Sequence, residues 1–184
     1  SGPSESVAEA FERTGAPLIV TTADHALLEA RWVSELVAKT PSDADLSVMM
    51  ARRSDIERAL PETQRTYLRF ADGEWSGCNL FYLASPRAEA ALATWRAVEA
   101  DRKRPWKLVA RLGLRNLFSY AIGRLTLADA LARLGRRIGL EARLVTASDG
   151  RAAIDGDKMR DPDDGRRPPV HTRPRRRTTP GPGP

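Results

Sequence analysis

The feature that most constrains this chain is a short apolar run that ends in one carboxylate and passes at once into a helical pattern. In PLIVTTADHALLEARWVSELVAKT, the pattern predicts a strand over Pro17 to Thr22 and an amphipathic helix over Ala26 to Lys39, with Asp24 between them. Open α/β sheets present groups to ligands in this way, outside the carboxyl ends of their strands. Asp24 is therefore the first candidate functional residue, and the alternative is that it only caps the helix.

A second acidic cluster follows another apolar run far along the chain. In AAIDGD, a late strand is predicted over Ala152 to Asp155, and Asp157 comes directly after it. Carboxylates from two distant strands suit Mg²⁺, which takes one or two protein carboxylates besides phosphate oxygens and water. The alternative is that each acid caps a turn.

Strands and helices alternate along the rest of the chain. An Asp72-Gly73 turn between two apolar runs indicates a hairpin and therefore one antiparallel pair. The pattern predicts an α/β fold with a mixed, layered sheet. The further predicted strands are Asp45 to Ala51, Thr66 to Ala71, Gly77 to Ala84 and Glu141 to Thr146, and the further helices are Glu5 to Arg13, Ser54 to Leu60, Ala88 to Asp101, Pro105 to Ile122 and Thr126 to Gly139.

The composition excludes several classes of protein. At 184 residues with 41% hydrophobic side chains, the chain has the size of one domain with a core. No stretch approaches the roughly 18 to 20 apolar residues of a membrane helix, and the first residues do not resemble a signal peptide. We expect a cytoplasmic protein without a membrane partner. One cysteine and two histidines exclude an intramolecular disulfide and a structural zinc site.

The net charge of +6 lies mostly at the end of the chain. Residues 158–184 hold eight Lys or Arg against three Asp, together with seven of the 13 prolines. Such a segment buries too little apolar surface to offset its ordering entropy. The sequence therefore predicts a domain over 1–157 and a disordered Arg/Pro-rich tail over 158–184.

Four segments in this order resemble the MobA-like NTP transferases, a family of molybdopterin-guanylyltransferase-like nucleotidyltransferases. The segments are LIVTTAD, SGCNLFYL, DRKRPWK and AIDGD, and the resemblance covers the C-terminal portion of the family's domain. It implies a three-layer Rossmann-like, GT-A-like mixed sheet. It also implies transfer of a nucleoside monophosphate from an NTP to a phosphorylated small-molecule acceptor.

The resemblance also implies roles for single residues. It assigns Asp24 and Asp157 as ligands of a Mg²⁺ cofactor on the triphosphate, with Asp24 counted as catalytic. Carboxylates in these roles fit the chemistry, because such transfer depends on positioning and on neutralising charge at the leaving pyrophosphate.

Further residues are assigned to the substrates. Gly77 and Asn79 match the family's strand that contacts the acceptor, and the alternative is a glycine bulge with a locally bonded Asn. Lys107, as a catalytic residue, and Lys103, as a substrate contact, would meet phosphate. The alternative for both is a lysine that faces water.

The sequence departs from the family in one important respect. Members carry a Gly-rich loop of the L-A-G-G-x-G-x-R kind around the NTP phosphates, and nothing here matches it. We expect a fragment without that loop and without the N-terminal strands, with little or no activity of its own. The strand Pro17 to Thr22 would then be an exposed sheet edge through which the chain can form an oligomer.

A second class of function is a nonenzymatic nucleic-acid-binding protein that acts through its basic tail. We favour the transferase, because it accounts for the helices and strands of the body, whereas nucleic-acid binding accounts only for the tail. His25 is predicted to be a capping or packing residue, with a base or third metal ligand as the alternative. Trp32 is predicted to lie in the core, and Trp75 to be partly exposed beside the hairpin turn.

Overall fold

The sheet and its helices follow the alternation of the sequence. The computed structural model describes residues 2–23, 25, 28–61, 63, 65–100, 120 and 122–154. The helices are α1 Pro3–Thr14, α2 Ala30–Lys39, α3 Arg53–Ala59, α4 Glu89–Ala100 and α5 Leu127–Arg137, the strands are β1 Leu18–Thr21, β2 Leu46–Arg52, β3 Leu68–Phe70, β4 Gly73–Leu83 and β5 Ala142–Thr146, and two 3₁₀ helices cover Pro86–Ala88 and Gly150–Ala153.

The five strands form one mixed sheet in the order β1-β4-β2-β5, with β3 also paired to β4. Strand β4 is antiparallel to β1, β2 and β3, whereas β2 and β5 are parallel. Strands β1, β2 and β5 therefore run in the same direction and finish at one end of the sheet, here called the carboxyl end. The mixed sheet and the Rossmann-like α/β class predicted from the sequence are confirmed.

The sheet has helices on both faces because apolar side chains alternate along its strands. On one face, α2, α3 and the second 3₁₀ helix enclose a core cluster that includes Trp32, Met49 and Ile56. On the other face, α1 and α4 pack around Leu83, and α5 packs around Met50. Adjacent β2 residues thus point into different layers, which gives three layers.

Strand β4 contains a β-bulge near its middle. Met49 pairs with Leu80 and Met50 pairs with Gly77, so that Cys78 and Asn79 have no partner in the β2 register. Asn79 adopts a left-handed conformation with φ of 51°. Asn is among the few residues other than glycine that tolerate this region. The bulge therefore redirects the chain at the segment matched to the family's acceptor strand.

Local signals located several boundaries well. The turn at Asp72-Gly73 is confirmed by the pairing of Phe70 with Gly73. Gly15 ends α1, and Thr126 caps α5 through its side chain. The start of α2, the conformation of residues Gly150–Ala153 and the burial of Trp75 depend on tertiary contacts instead.

Helix α2 begins at Ala30 rather than Ala26. The predicted strand at Ala152 to Asp155 is wrong, because residues Gly150–Ala153 form a 3₁₀ helix. Trp75 is only 1% exposed, so its predicted partial exposure is also wrong.

Some predictions concern residues outside the described ranges. Most of the helix predicted over Pro105 to Ile122 and the domain boundary after Asp157 belong to this group. Among the helices of the described residues, none combines the length and apolar character needed to cross a membrane.

Candidate functional site

Two loops that are remote in sequence leave from the carboxyl end of the sheet, one from each side of the β4-β2 pair. The early loop, residues 22–29, follows β1 and is described at 22, 23, 25, 28 and 29, and the late loop, residues 147–154, follows β5. Since β1 and β5 finish at the same end of the sheet, both loops leave from that end. Ligands of open α/β sheets bind at this end.

The early loop is anchored by His25. The imidazole is 6% exposed and stacks on the indole of Trp32, with ring centroids 6.0 Å apart and planes 8° from parallel. Its Nδ1 lies 3.3 Å from Thr21 Oγ1, and its backbone N–H donates to the carbonyl of Thr22 at 3.2 Å. His25 is therefore a packing residue, as the first of its two interpretations predicted.

The late loop contains an acid, Asp149, whose carboxylate is paired with two arginines. Its carboxylate accepts the backbone N–H of Arg151 at 2.9 Å, which caps the following 3₁₀ helix. It also pairs with the guanidinium of Arg151 at 2.8 Å and with that of Arg31 at 2.9 Å. Hydrogen bonds from the Arg151 side chain are the main cause that lowers the pKa of Asp149, and partial burial opposes them. Asp149 is charged at neutral pH, and its oxygens already have partners.

A second carboxylate, that of Glu35 on α2, binds the late loop. Glu35 Oε1 accepts the backbone N–H of Ser148 at 2.9 Å, and Oε2 accepts the Ser148 hydroxyl at 3.0 Å. Lys39 Nζ pairs with Oε1 at 2.5 Å and donates to the carbonyl of Thr146 at 3.3 Å. Burial raises the pKa of Glu35, but hydrogen bonds from Lys39 and Ser148 outweigh it and lower that pKa.

The late loop is also pressed against α3. A Cβ added at Gly150 would lie 2.2 Å from the carbonyl oxygen of Asp55 and 2.4 Å from the backbone nitrogen of Ile56. Only glycine permits this approach. Ala152 and Ala153, which follow, are buried in the same cluster as Trp32.

The β4 bulge lies in the part of β4 that pairs with the carboxyl-terminal half of β2. A Cβ added at Gly77 would meet only the Met50 sulfur, at 3.9 Å, so packing does not require glycine there. Arg65 donates from Nε to Ser76 Oγ at 3.0 Å and from Nη2 to the carbonyl of Gly77 at 3.3 Å. The bulge therefore falls at Cys78 and Asn79 rather than at Gly77, which pairs with Met50, and the space at Gly77 is compatible with a ligand.

Charges near the bulge are largely balanced within the protein. Arg53 pairs with Glu57 at 2.6 Å and with Glu74 at 2.8 Å. The hydrogen bond from Arg53 to Glu57 is the largest cause of the raised pKa of Arg53. The hydrogen bond from Arg53 to Glu74 is the largest cause of the lowered pKa of Glu74. Arg52 instead lies over the Trp75 ring, 4.3 Å from the centroid.

The structure describes two of the six residues assigned from the sequence. Asn79 lies in the bulge and Gly77 beside it. Among the described residues, no group of three or more His, Cys, Asp or Glu is placed to hold a metal ion. The assigned residues outside the described ranges are Asp24, Lys103, Lys107 and Asp157.

Sequence reasoning missed the polar side chains that hold the loops. Asp149 carries a usable signal, because RLVTASD repeats the pattern of strand followed by acid seen before Asp24. Glu35 is a single acid within an amphipathic helix and has no such signal. Arg65 precedes a short strand and also has none. Their contacts exist only in the folded chain.

An apolar cavity lies between α4, α5 and the sheet, on the face of the sheet opposite to α2 and α3. Its described lining is almost entirely apolar and includes Val48, Phe81, Trp95, Leu131 and Leu134. Substrate sites need a few placed polar groups for orientation. The carboxyl end of the sheet is therefore the better candidate site.

A solved structure supports this assignment at the level of class. A protein from Thermus thermophilus, described as a hypothetical transferase, matches the chain with a TM-score of 0.75 and 32% sequence identity. The match covers 84% of this chain and 67% of that one. The chain therefore belongs to the family of that Thermus protein and has a Rossmann-like transferase fold.

Comparison with protein-family models gave no match, and no curated protein matched the sequence. The description of the Thermus protein specifies neither nucleotidyl transfer nor a MobA-like family. It supports an enzyme of the transferase class, and the finer assignments are proposals.

Proposed function

We propose that this chain belongs to a Mg²⁺-dependent nucleotidyltransferase of the MobA-like kind. The enzyme transfers a nucleoside monophosphate from an NTP to a phosphorylated small-molecule acceptor. The observation that carries the proposal is that both loops pack against α2. His25 of the early loop stacks on Trp32, and Ala152 of the late loop lies in the core cluster that contains Trp32. Asp24 belongs to the early loop, and Asp157 follows the late loop in the sequence.

The chemistry asks the protein for positioning rather than covalent participation. An acceptor phosphate oxygen attacks the α-phosphorus, a new P–O bond forms, and the bond from the α-phosphorus to the bridging oxygen breaks. Pyrophosphate leaves with the electron pair of that bond. Catalysis then rests on aligning the two phosphates and on neutralising their charge.

Each assigned residue has one task in this proposal. Asp24 and Asp157 would hold Mg²⁺, whose preferred ligands are oxygens and which supplies charge neutralisation on the triphosphate. Lys107 would contact the phosphate at which charge develops, and Lys103 would contact substrate phosphate.

The bulge of β4 would contact the acceptor. The space at Gly77 allows close approach, and the Asn79 amide offers both a donor and an acceptor to hydroxyl groups. Arg65, held at this position by Ser76 and by the carbonyl of Gly77, supplies a positive charge beside it.

Metal binding tests the carboxylate pair directly. Mn²⁺ substitutes for Mg²⁺, and its binding to the full chain is followed by electron paramagnetic resonance. Asp24→Ala and Asp157→Ala should each weaken binding by at least about tenfold, since each removes a ligand. Asp43→Ala, whose carboxylate is 62% exposed, is the control and should bind as the wild type does. Equal Mn²⁺ affinity in all four proteins would refute the assigned ligands.

Activity is measured as pyrophosphate release from each of the four NTPs with sugar, inositol or pterin phosphates. Both the chain and the chain joined to a Gly-rich phosphate loop are assayed. In the joined protein, Asp24→Ala should reduce turnover by about 10²-fold or more, because neutralisation of transition-state charge is lost. Full turnover in that variant would contradict the proposal.

Gly77→Ala separates the acceptor site from the rest of the protein. The added methyl group has room within the protein, so folding is preserved. The KM for the acceptor should rise while the KM for the NTP is unchanged. A rise in both constants would argue against acceptor binding at the bulge.

Nucleic-acid binding through the tail is the alternative from another class. Residues 158–184 lie outside the described ranges, so this hypothesis rests on their charge alone. Deleting them should abolish binding and remove its steep salt dependence if the alternative holds.

A further inference from the structure

Helix α2 contacts both loops at the carboxyl end of the sheet. Trp32, in its first turn, stacks on His25 of the early loop. One residue earlier, Arg31 pairs with Asp149 of the late loop at 2.9 Å. Glu35, one turn further on, takes two hydrogen bonds from Ser148 of the same loop. A single rigid element therefore spans the two loops.

The contact at Glu35 differs from an ordinary surface ion pair. Its side chain is 13% exposed, and both carboxylate oxygens are engaged by Ser148. Lys39, one turn later, pairs with the same carboxylate and with the carbonyl of Thr146 at the end of β5. Paired donors that include a backbone N–H define both the position and the orientation of a loop. By contrast, an exposed pair that joins two flexible side chains contributes little.

The other contacts of the late loop leave it little freedom. Gly150 is pressed against the α3 backbone, so the loop cannot move toward α3. Glu35 holds the same loop to α2 through Ser148.

We propose that α2 sets the relative position of the early and late loops, with Glu35 as the positioning residue. The inference rests on the proposed function, in which Asp24 of the early loop and Asp157, which follows the late loop in the sequence, hold the metal ion. Glu35 contacts no reacting atom in this scheme. It acts through Ser148, and loss of its charge separates the late loop from the helix that holds the early one.

Glu35→Gln tests the proposal in the full chain. The matched control is Glu57→Gln, which also breaks an i,i+4 pair with a cation, at 2.6 Å from Arg53, but contacts neither loop through that pair. Amide hydrogen exchange is measured over residues 22–29 and 147–157, and Mn²⁺ affinity is measured by electron paramagnetic resonance. Ser148→Ala removes one of the two bonds and should produce a smaller change in the same direction.

Glu35→Gln should accelerate exchange in the late loop, leave exchange over residues 22–29 unchanged, and weaken Mn²⁺ binding by about tenfold, the scale of a lost outer-shell contact. Glu57→Gln should change neither. No change in exchange over residues 147–157 would overturn the proposal. Unchanged Mn²⁺ affinity in Glu35→Gln, where the wild type binds the ion, would overturn it as well.

Absence of Mn²⁺ binding in the wild type would instead count against the proposed function. The exchange measurement then decides by itself whether Glu35 holds the late loop on α2. The two failures are therefore distinguishable.

Discussion

The two ends of the sheet are held together in different ways. At the amino end, where β2 and β5 begin, one buried carboxylate, Asp45, joins three segments. It accepts the Ser85 hydroxyl at 2.5 Å and the backbone N–H of Glu141 at 2.8 Å, and its carbonyl accepts the N–H of Ala84 at 2.9 Å. At the carboxyl end, several partly exposed pairs on α2 share the same task.

The difference separates a structural end from the end that carries the candidate site. A buried carboxylate with satisfied hydrogen bonds favours a single arrangement, because breaking one bond leaves a buried charge poorly compensated. Partly exposed pairs contribute less each, which is typical of loops that bind ligands on a rigid scaffold. Four variants or conditions test this contrast, from the largest expected effect to the smallest.

Asp45→Ala should lower the free energy of unfolding by about 3 kcal/mol. The variant removes hydrogen bonds from Ser85 and Glu141 to a charged acceptor and leaves the Glu141 N–H without that partner. Urea denaturation measures the change. Asp43→Ala, which removes an exposed pair with Arg143, is the control and should cost within about 0.5 kcal/mol. Equal losses in the two variants would show that the buried carboxylate of Asp45 stabilises this end of the sheet no more than an exposed pair does.

Gly150→Ala should lower the free energy of unfolding by about 2 kcal/mol, because the new methyl group would overlap the Asp55 backbone. Gly77→Ala is the matched control, since its methyl group meets only the Met50 sulfur at 3.9 Å. Thermal denaturation compares the two variants. If Gly150→Ala is as stable as Gly77→Ala, the late loop is not pressed against α3.

Thr126→Ala should lower the free energy of unfolding by about 1 kcal/mol through loss of the N-cap of α5. The Thr126 hydroxyl accepts the N–H of Asp129 at 3.1 Å, while Asp72 accepts the neighbouring N–H of Leu127 at 3.0 Å. The second bond limits the effect. Thr14→Ala, at the exposed end of α1, is the control in urea denaturation. A loss as large as that of Asp45→Ala would contradict the ranking.

Acidification should give the smallest and most gradual effect. Burial raises the pKa of Asp45, but hydrogen bonds from Ser85 and the Glu141 N–H outweigh it and place that pKa below its ordinary value. The unfolded chain then binds the proton more readily, so this stabilisation is complete above about pH 4 and is lost as the pH falls through the lower folded pKa.

Urea midpoints at several pH values from neutral to acid measure this dependence. The wild type should lose stability on acidification more steeply than Asp45→Asn, which cannot titrate at this position. Parallel curves for the two proteins would show that Asp45 does not contribute to the acid sensitivity.

Much of the fold was predictable because its signals are local. Gly15 and Thr126 mark helix ends through backbone conformation and side-chain capping, and the Asp72-Gly73 turn marks the hairpin. The 3₁₀ helix at Gly150–Ala153 was not predictable as such. Its apolar residues suit a strand equally well, and contact with α3 decides its conformation.

The candidate site was predictable in outline only. The apolar run before Asp24 locates one loop, and the segment around Gly77 locates the β4 strand that carries the bulge. The importance of Glu35 could not be predicted, because its partner Ser148 is 113 residues away in the sequence.

The sequence by itself determined the order of helices and strands, the mixed α/β class and the segments that carry candidate site residues. Periodicity, capping and turn preference act over a few residues and are therefore visible in the chain. Only the tertiary structure decided that His25 packs on Trp32, that Asp149 is occupied by arginines and that α2 joins the two loops. Those contacts depend on which distant segments the sheet order places side by side.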